Sequence, residues 1–227
     1  HVQLGTWCRR ADADEAIIPP DGEQRSGTRV PVEYTEGIDV SGILAELEAH
    51  PELWDEHTYR KYGPGTPHRE MSDVWVRGND MAPFEAGVRD WKEYSDEHTP
   101  IWYPAWDKLP SLKPFVWDLM RKAEGESIGI ILITKIPPGG KIYPHTDNGW
   151  HVEFHEKFYL SLKSEPGAVF WVNHKGVREE INPKPGEVWL TDNRKLHGVE
   201  NNSGTDRITV IICIHTEKFG HLPLEKI

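Results

Sequence analysis

From residue 127 onward the chain breaks into short apolar or alternating runs divided by turn residues. These runs lie at 128–136, 141–146, 157–163, 168–173, 176–181, 187–191 and 206–215. The punctuation falls at Pro137–Gly140, Glu165–Gly167, Asn173–Gly176, Pro183–Gly186 and Asn201–Gly204. Strands this short and this evenly spaced predict an all-β sandwich or barrel. Two helical patterns precede them. Val40, Ile43, Leu44 and Leu47 share one helical face, with Asp39 or Ser41 able to cap the start and Pro51 limiting the end. Leu112, Phe115, Val116, Leu119 and Met120 form a second apolar face, with Ser111 as its expected N-cap and Gly125 after its last basic turn. These helices are expected to buttress one face of a sheet.

Residues 1–36 are polar and aperiodic and read as a loose arm. Residues 52–110 are rich in aromatics and proline and read as loops over a sheet, apart from a short strand at Asp73–Arg77. Most of the ten tryptophans are expected to cover the core, with a minority lining a cleft. With 227 residues, one domain accounts for the whole chain: an N-terminal portion over 1–126 and a β core over 127–216.

A formal net charge of −11 speaks against non-specific nucleic-acid binding, which needs clustered Lys and Arg to displace counterions. No apolar run approaches bilayer length. The only cysteines, Cys8 and Cys213, suggest neither a metal motif nor a disulfide framework, and Cys213 sits in an apolar run as a buried small hydrophobe. A reducing cytoplasm is the expected setting, with a small-molecule or peptide partner; the oligomeric state is not legible.

The chemistry concentrates after the Pro-Pro-Gly-Gly turn at 137–140. His145 and Asp147 are one residue apart, and in an extended chain they point to the same side. A neutral imidazole and a carboxylate aimed at one point can hold a divalent metal. A third ligand from a later strand completes the two-His-one-carboxylate set that leaves open positions on Fe(II), and His197 is the candidate. Ten residues beyond His197, Arg207 opens an apolar strand. A buried arginine needs a partner for its charge, and a bidentate carboxylate is the natural one. A co-substrate bound to the metal at one end and carrying a carboxylate at the other meets both needs.

On these residues the chain resembles the Fe(II)- and 2-oxoglutarate-dependent dioxygenases, and among them the aspartyl/asparaginyl β-hydroxylase-like group. The matching stretches are Pro138 to Asp147, Lys157 to Leu162, Pro185 to Trp189, Asp192 to Asn201, and Arg207. The resemblance implies a double-stranded β-helix, the jelly roll also used by cupins. It implies His145, Asp147 and His197 as metal ligands and catalytic centre, and Arg207 as the grip on the distal carboxylate of 2-oxoglutarate. It also implies consumption of O2, with succinate and CO2 as co-products. A further polar contact to 2-oxoglutarate is expected on the strand at 157–163. There Lys157, Tyr159, Ser161 and Lys163 share one face; Tyr159 is favoured and Ser161 is the next choice. Substrate contacts are expected from Arg77 at a strand end, from Trp150 and from His151, just past the ligands.

Other histidines carry plainer readings. His151-x-Glu153-x-His155 is not a zinc-protease motif, since the Glu is misplaced and no helical pattern surrounds it. His174 falls in a turn and is expected to be exposed. The implied substrate is an Asp or Asn in a peptide, or a free amino acid such as proline. The alternative is a cupin-like metal enzyme or binding protein that does not use 2-oxoglutarate, which gives no reason for Arg207. A protein with a dead site is disfavoured because no ligand is lost.

Overall fold

The structure is a computed structural model that describes residues 32–88 and 99–217. In chain order it contains β1 (Val32–Thr35), α1 (Ser41–Ala49), a 3-10 turn (Pro51–Leu53), α2 (Tyr59–Tyr62), β2 (Ser72–Asn79), α3 (Ala82–Glu85), β3 (Pro100–Trp102), α4 (Ala105–Lys108) and α5 (Leu112–Lys122). The second half runs β4 (Ser127–Ile136), β5 (Lys141–His145), α6 (Trp150–Phe154), β6 (Glu156–Lys163), β7 (Ala168–His174), β8 (Val177–Ile181), β9 (Val188–Thr191), β10 (His197–Asn201) and β11 (Arg207–His215).

The strands form two antiparallel sheets. The large sheet has the order β1-β9-β6-β11-β4-β2-β3 and the small one β5-β10-β7-β8. Because consecutive strands cross between the sheets, the result is a jelly roll. The expected strands from 127 onward are all present. Other elements had no sequence signal, and α2, α3, β3 and α4 form within the stretch that reads as loops. β1 emerges from the expected arm to pair with β9, β10 begins at a candidate ligand, and α6 folds where no helical pattern was visible. Residues 1–31 of the arm, and Trp91 in the aromatic stretch, lie outside the described residues.

One face of the large sheet is dry. Val74, Val76, Ile131, Ile133, Phe158, Leu160, Val210 and Ile212 pack against Ile43 and Leu47 of α1 and Leu112, Phe115, Val116 and Leu119 of α5. This is the buttress that the two apolar helical faces predict. The cap on α5 differs from expectation. Ser111 occupies the N-cap position, but its hydroxyl donates outward to Glu46 Oε1 at 2.5 Å, and the Glu46 carboxylate accepts the Ser111 N–H at 3.1 Å. A carboxylate from α1 thus satisfies an orphan donor at the start of α5 and ties the two helices together. At the other end Glu124, not Gly125, takes the left-handed conformation (φ 53°). Gly125 is small for a different reason: a Cβ there would lie 2.6 Å from Ile214 Cγ2 and 2.7 Å from Met120 Sδ.

The turn between β4 and β5 uses its glycine as the turn type demands. Gly139 sits at φ 77°, and the Gly140 N–H closes on the Pro137 carbonyl at 2.9 Å. This reversal carries the chain from the large sheet to the small one. Part of the space between the sheets is filled by Met71, Ile136, Ile142, Phe170, Val172 and Val199. The rest is open and forms a cavity whose wall Ile142, Phe170 and Val199 share.

Candidate active site

His145 ends β5 and His197 begins β10, and the two are register partners in the small sheet. The pairing brings their rings to 4.3 Å between centroids. Asp147 lies two residues past β5, where its N–H is held by the Asn193 carbonyl at 2.9 Å. One ligand atom from each of His145, Asp147 and His197 falls within 4.8 Å of the others, and this is the one such group of three among the described residues.

The imidazoles are oriented for a metal. His145 Nδ1 faces the Tyr143 carbonyl at 2.7 Å, and His197 Nδ1 faces the Lys195 carbonyl at 2.8 Å. A carbonyl only accepts, so each Nδ1 carries the proton and each Nε2 presents a lone pair. Burial pushes the His197 pKa down to about 4, which keeps the ring neutral and able to ligate. Burial works against the charge on Asp147. The Lys157 ammonium and the contact with His145 outweigh it and hold the carboxyl well below the usual carboxylate range. Lys157 Nζ donates to Asp147 Oδ2, and this pairing raises the Lys157 pKa despite full burial.

Asn193 completes the surroundings. Its Nδ2 donates to Tyr159 Oη at 2.6 Å and to Asp147 Oδ2 at 3.1 Å, and lies 3.1 Å from His197 Nε2. Thr191 Oγ1 donates to the Asn193 Oδ1 at 2.7 Å and so fixes which way the amide points. An amide NH2 has two hydrogens, so its three neighbours compete for them.

The triad opens into a cavity of about 540 Å3 between the sheets. Arg207 lies in its wall, 3% exposed, with a buried Nε that has no hydrogen-bond partner. Burial pulls its pKa down to about 10. A nearly dry guanidinium without a carboxylate is costly, and the cost is relieved when an anion enters beside it. Two imidazole lone pairs, one carboxylate and an orphaned cation fit a divalent metal and an anionic co-substrate.

Tyr159 lines the cavity and accepts from Asn193, which leaves its own O–H to donate. Ser161 does not line the cavity. Its hydroxyl donates to the Pro183 carbonyl at 3.2 Å, and Lys163 is exposed. Arg77 also stands away from the cavity wall. Its Nε donates to the Ile128 carbonyl at 3.2 Å, and its guanidinium lies over the Trp102 ring at 4.6 Å. Among the expected substrate contacts His151 lines the cavity, whereas the Trp150 side chain lies outside what is described. His174 is not exposed as its turn position suggested. It is half-buried, with Nδ1 3.0 Å from Glu179. Of the tryptophans, Trp75 reaches the cavity wall.

Sequence reasoning gave no role to several wall residues, Asn193, His68 and Arg60 among them. His68 brings its ring to 5.0 Å from that of His145, with a buried, unpartnered Nδ1. Arg60 lines the same wall from α2. Neither has a periodic or motif signal, since both lie in the Gly- and Pro-rich stretch that read as loops.

A jelly roll with this triad and a buried arginine in one cavity is the architecture of a metal-dependent oxygenase. The chain belongs to the aspartyl/asparaginyl β-hydroxylase family, whose model matches residues 67–216, and is therefore an oxygenase of the Fe(II)/2-oxoglutarate class. None of the curated proteins compared matches it. Its fold is similar to that of a Trichoplax adhaerens prolyl hydroxylase solved with a hypoxia inducible factor oxygen degradation domain peptide fragment. That likeness has 10% identity and a TM-score of 0.58, and covers 92% of this chain and 93% of that one. Weaker likenesses are a Pseudomonas putida prolyl-4-hydroxylase (13% identity, TM-score 0.49, 82% and 92% covered) and a Burkholderia pseudomallei 2OG-Fe(II) oxygenase (14%, 0.47, 64% and 67%). Among the described residues no helix is long and apolar enough to cross a membrane.

Proposed function

We propose that this chain, acting as a single domain, is a hydroxylase that uses Fe(II), 2-oxoglutarate and O2 on an amino-acid-type substrate. That substrate is an Asp or Asn in a peptide, or a free amino acid such as proline. His145, Asp147 and His197 would hold Fe(II), and Arg207 would take the distal carboxylate of 2-oxoglutarate, with Tyr159 donating nearby. When bound, the metal and co-substrate supply the oxidation, which consumes O2 and leaves succinate and CO2 beside the hydroxylated product.

The chain's own residues do the rest. The Tyr143 and Lys195 carbonyls keep both imidazoles in one tautomer. Lys157 keeps Asp147 ionised without competing for both of its oxygens, because it reaches Oδ2 while Oδ1 faces His145 at 3.4 Å. The apolar walls, Leu132, Ile142, Phe170, Val199 and Ile211 among them, limit water around the reacting centre.

The observation that carries this reading is the unpaired, buried guanidinium of Arg207 in the same cavity as the triad. A cupin-like protein without 2-oxoglutarate has no use for it. The test is succinate release under air with Fe(II), 2-oxoglutarate and ascorbate, comparing the natural chain with His145→Ala and Arg207→Ala. Succinate formation lost in both variants supports the reading. If the natural chain releases no succinate and also fails to bind 2-oxoglutarate in the presence of metal, the reading is wrong.

A further inference from the structure

The chain as a whole is strongly acidic, but its cavity is not. Among the described wall residues, Asp147 is the only carboxylate, against three cations, Arg60, Lys157 and Arg207. Lys157 is spent on Asp147. Arg207 sits where the co-substrate is proposed to end. Arg60 remains without a function. Fe(II) and the 2-oxoglutarate dianion bring equal and opposite charge, and Arg60 is itself paired with Asp73, so the three cations with the Asp147 and Asp73 carboxylates leave a loaded cavity with one net positive charge. Positive charge held inside a low-dielectric cleft of an anionic protein focuses potential there and selects anions.

Arg60 is mounted to serve this way. Its Nη1 donates to Asp73 at 2.8 Å, and Asp73 is 3% exposed on β2, so the anchor is stiff. The Thr66 hydroxyl donates to the Arg60 carbonyl and folds the Gly63–Gly65 turn back over it. Among the described residues that Asp73 bond is the only hydrogen bond its guanidinium makes, and four of its five N–H groups find no partner there. On the same wall stands His68, its ring 5.0 Å from that of His145 and its Nδ1 buried and unpartnered. A guanidinium with donors to spare thus shares a wall with an unpartnered ring nitrogen beside His145. Arg60 also lies outside residues 67–216, the part matched by the family model.

We propose that Arg60 and His68 form an anion subsite that binds a carboxylate of the substrate, so that the substrate is an acid held on the wall these two residues build. The proposal rests on the oxygenase reading above and names the chemistry of its substrate. A planar carboxylate matches the free fork of the guanidinium. It could be the α-carboxylate of a free amino acid or the side chain of an aspartyl residue in a peptide.

The test uses the full chain loaded with Zn(II) and 2-oxoglutarate, so that no turnover occurs, and isothermal titration calorimetry with two matched pairs. L-Proline against prolinamide probes an α-carboxylate. An N-acetyl aspartyl peptide amide against its asparaginyl twin probes a side-chain carboxylate. In one pair the acid is expected to bind at least about tenfold more tightly than the amide, and that pair identifies the source. Removing Arg60 alone would strand buried Asp73, so the variant is the double Arg60→Gln/Asp73→Asn. It is expected to bring acid and amide within about twofold of each other while still binding 2-oxoglutarate as the natural chain does. Two results overturn the subsite: acid and amide binding equally in both pairs, undetectable binding included, or a preference that survives the double substitution. If the natural chain takes up no 2-oxoglutarate at the outset, the oxygenase reading fails first, and the two failures are told apart.

Discussion

The two faces of the large sheet are made by the same strands, yet they differ in almost every property. On the helix-covered face, the central alternate residues of β2, β4, β6 and β11 are aliphatic or Phe: Val74, Val76, Ile131, Ile133, Phe158, Leu160, Val210 and Ile212. On the cavity face the neighbours of those residues are Trp75, Leu132, Thr134, Lys157, Tyr159, Arg207, Ile211 and Cys213. The period-2 geometry of a strand lets one segment serve two purposes. The dry face stabilises the fold. The other face carries buried charge that works against stability and makes sense only with a ligand present.

Substitution at adjacent positions can break or sharpen that contrast. The largest effect is expected on the dry face. Phe158 is fully buried, and Phe158→Ala should cost about 3–5 kcal/mol in a urea titration. The folded fraction should still bind metal with unchanged affinity. One strand over, Arg207→Leu should do the reverse. The metal-free protein should melt at the same temperature or higher, because an unpaired buried charge is gone, while 2-oxoglutarate binding weakens by about 2–5 kcal/mol in calorimetry. A large loss of stability in Arg207→Leu would mean the arginine is structural and the two faces are not separate in purpose.

Proton linkage gives a third test. His197 is held neutral with its folded pKa depressed to about 4, against about 6.5 for an unfolded chain. Between those values the unfolded state binds the extra proton. The stability of the metal-free protein should therefore be fully present above about pH 6.5 and fall as the pH drops towards 4, in all by about 3 kcal/mol. His197→Gln should flatten that slope in equilibrium unfolding measured at several pH values. The smallest effect belongs to Asn193. It touches Asp147, Tyr159 and His197 but is not expected to ligate, so Asn193→Ala should weaken metal binding by about 10–100-fold with little change in fold stability.

The dry face was the more legible of the two in the sequence. Apolar alternation marks the strands from 127 onward, and helical periodicity marks α1 and α5, because burial on one side imposes a pattern within a few residues. The triad was legible for a related reason. His145 and Asp147 sit at a strand end after a turn that Pro and Gly spell out, and Arg207 is conspicuous as a charge opening an apolar run. What could not be read depends on contacts between distant segments. Asn193 matters because β9 and β10 bring it beside Asp147. His68 and Arg60 matter because an aperiodic stretch folds across the cavity. Glu46 caps α5 from another helix. Ser161 shares a strand face with Tyr159, yet the chain at Pro183 takes its hydroxyl. No local rule distinguishes those cases.

Both imidazoles belong to the small sheet, as cross-strand partners on β5 and β10, and Arg207 belongs to the large one. A molecule held at one end by the triad and at the other by Arg207 is therefore a crosspiece between the two sheets. Held as proposed, such a molecule would tie the sheets together in addition to the apolar contacts of Met71, Ile136, Ile142, Phe170, Val172 and Val199. Under the proposed function, co-substrate binding would stiffen the space between the sheets and firm the cavity before the substrate arrives.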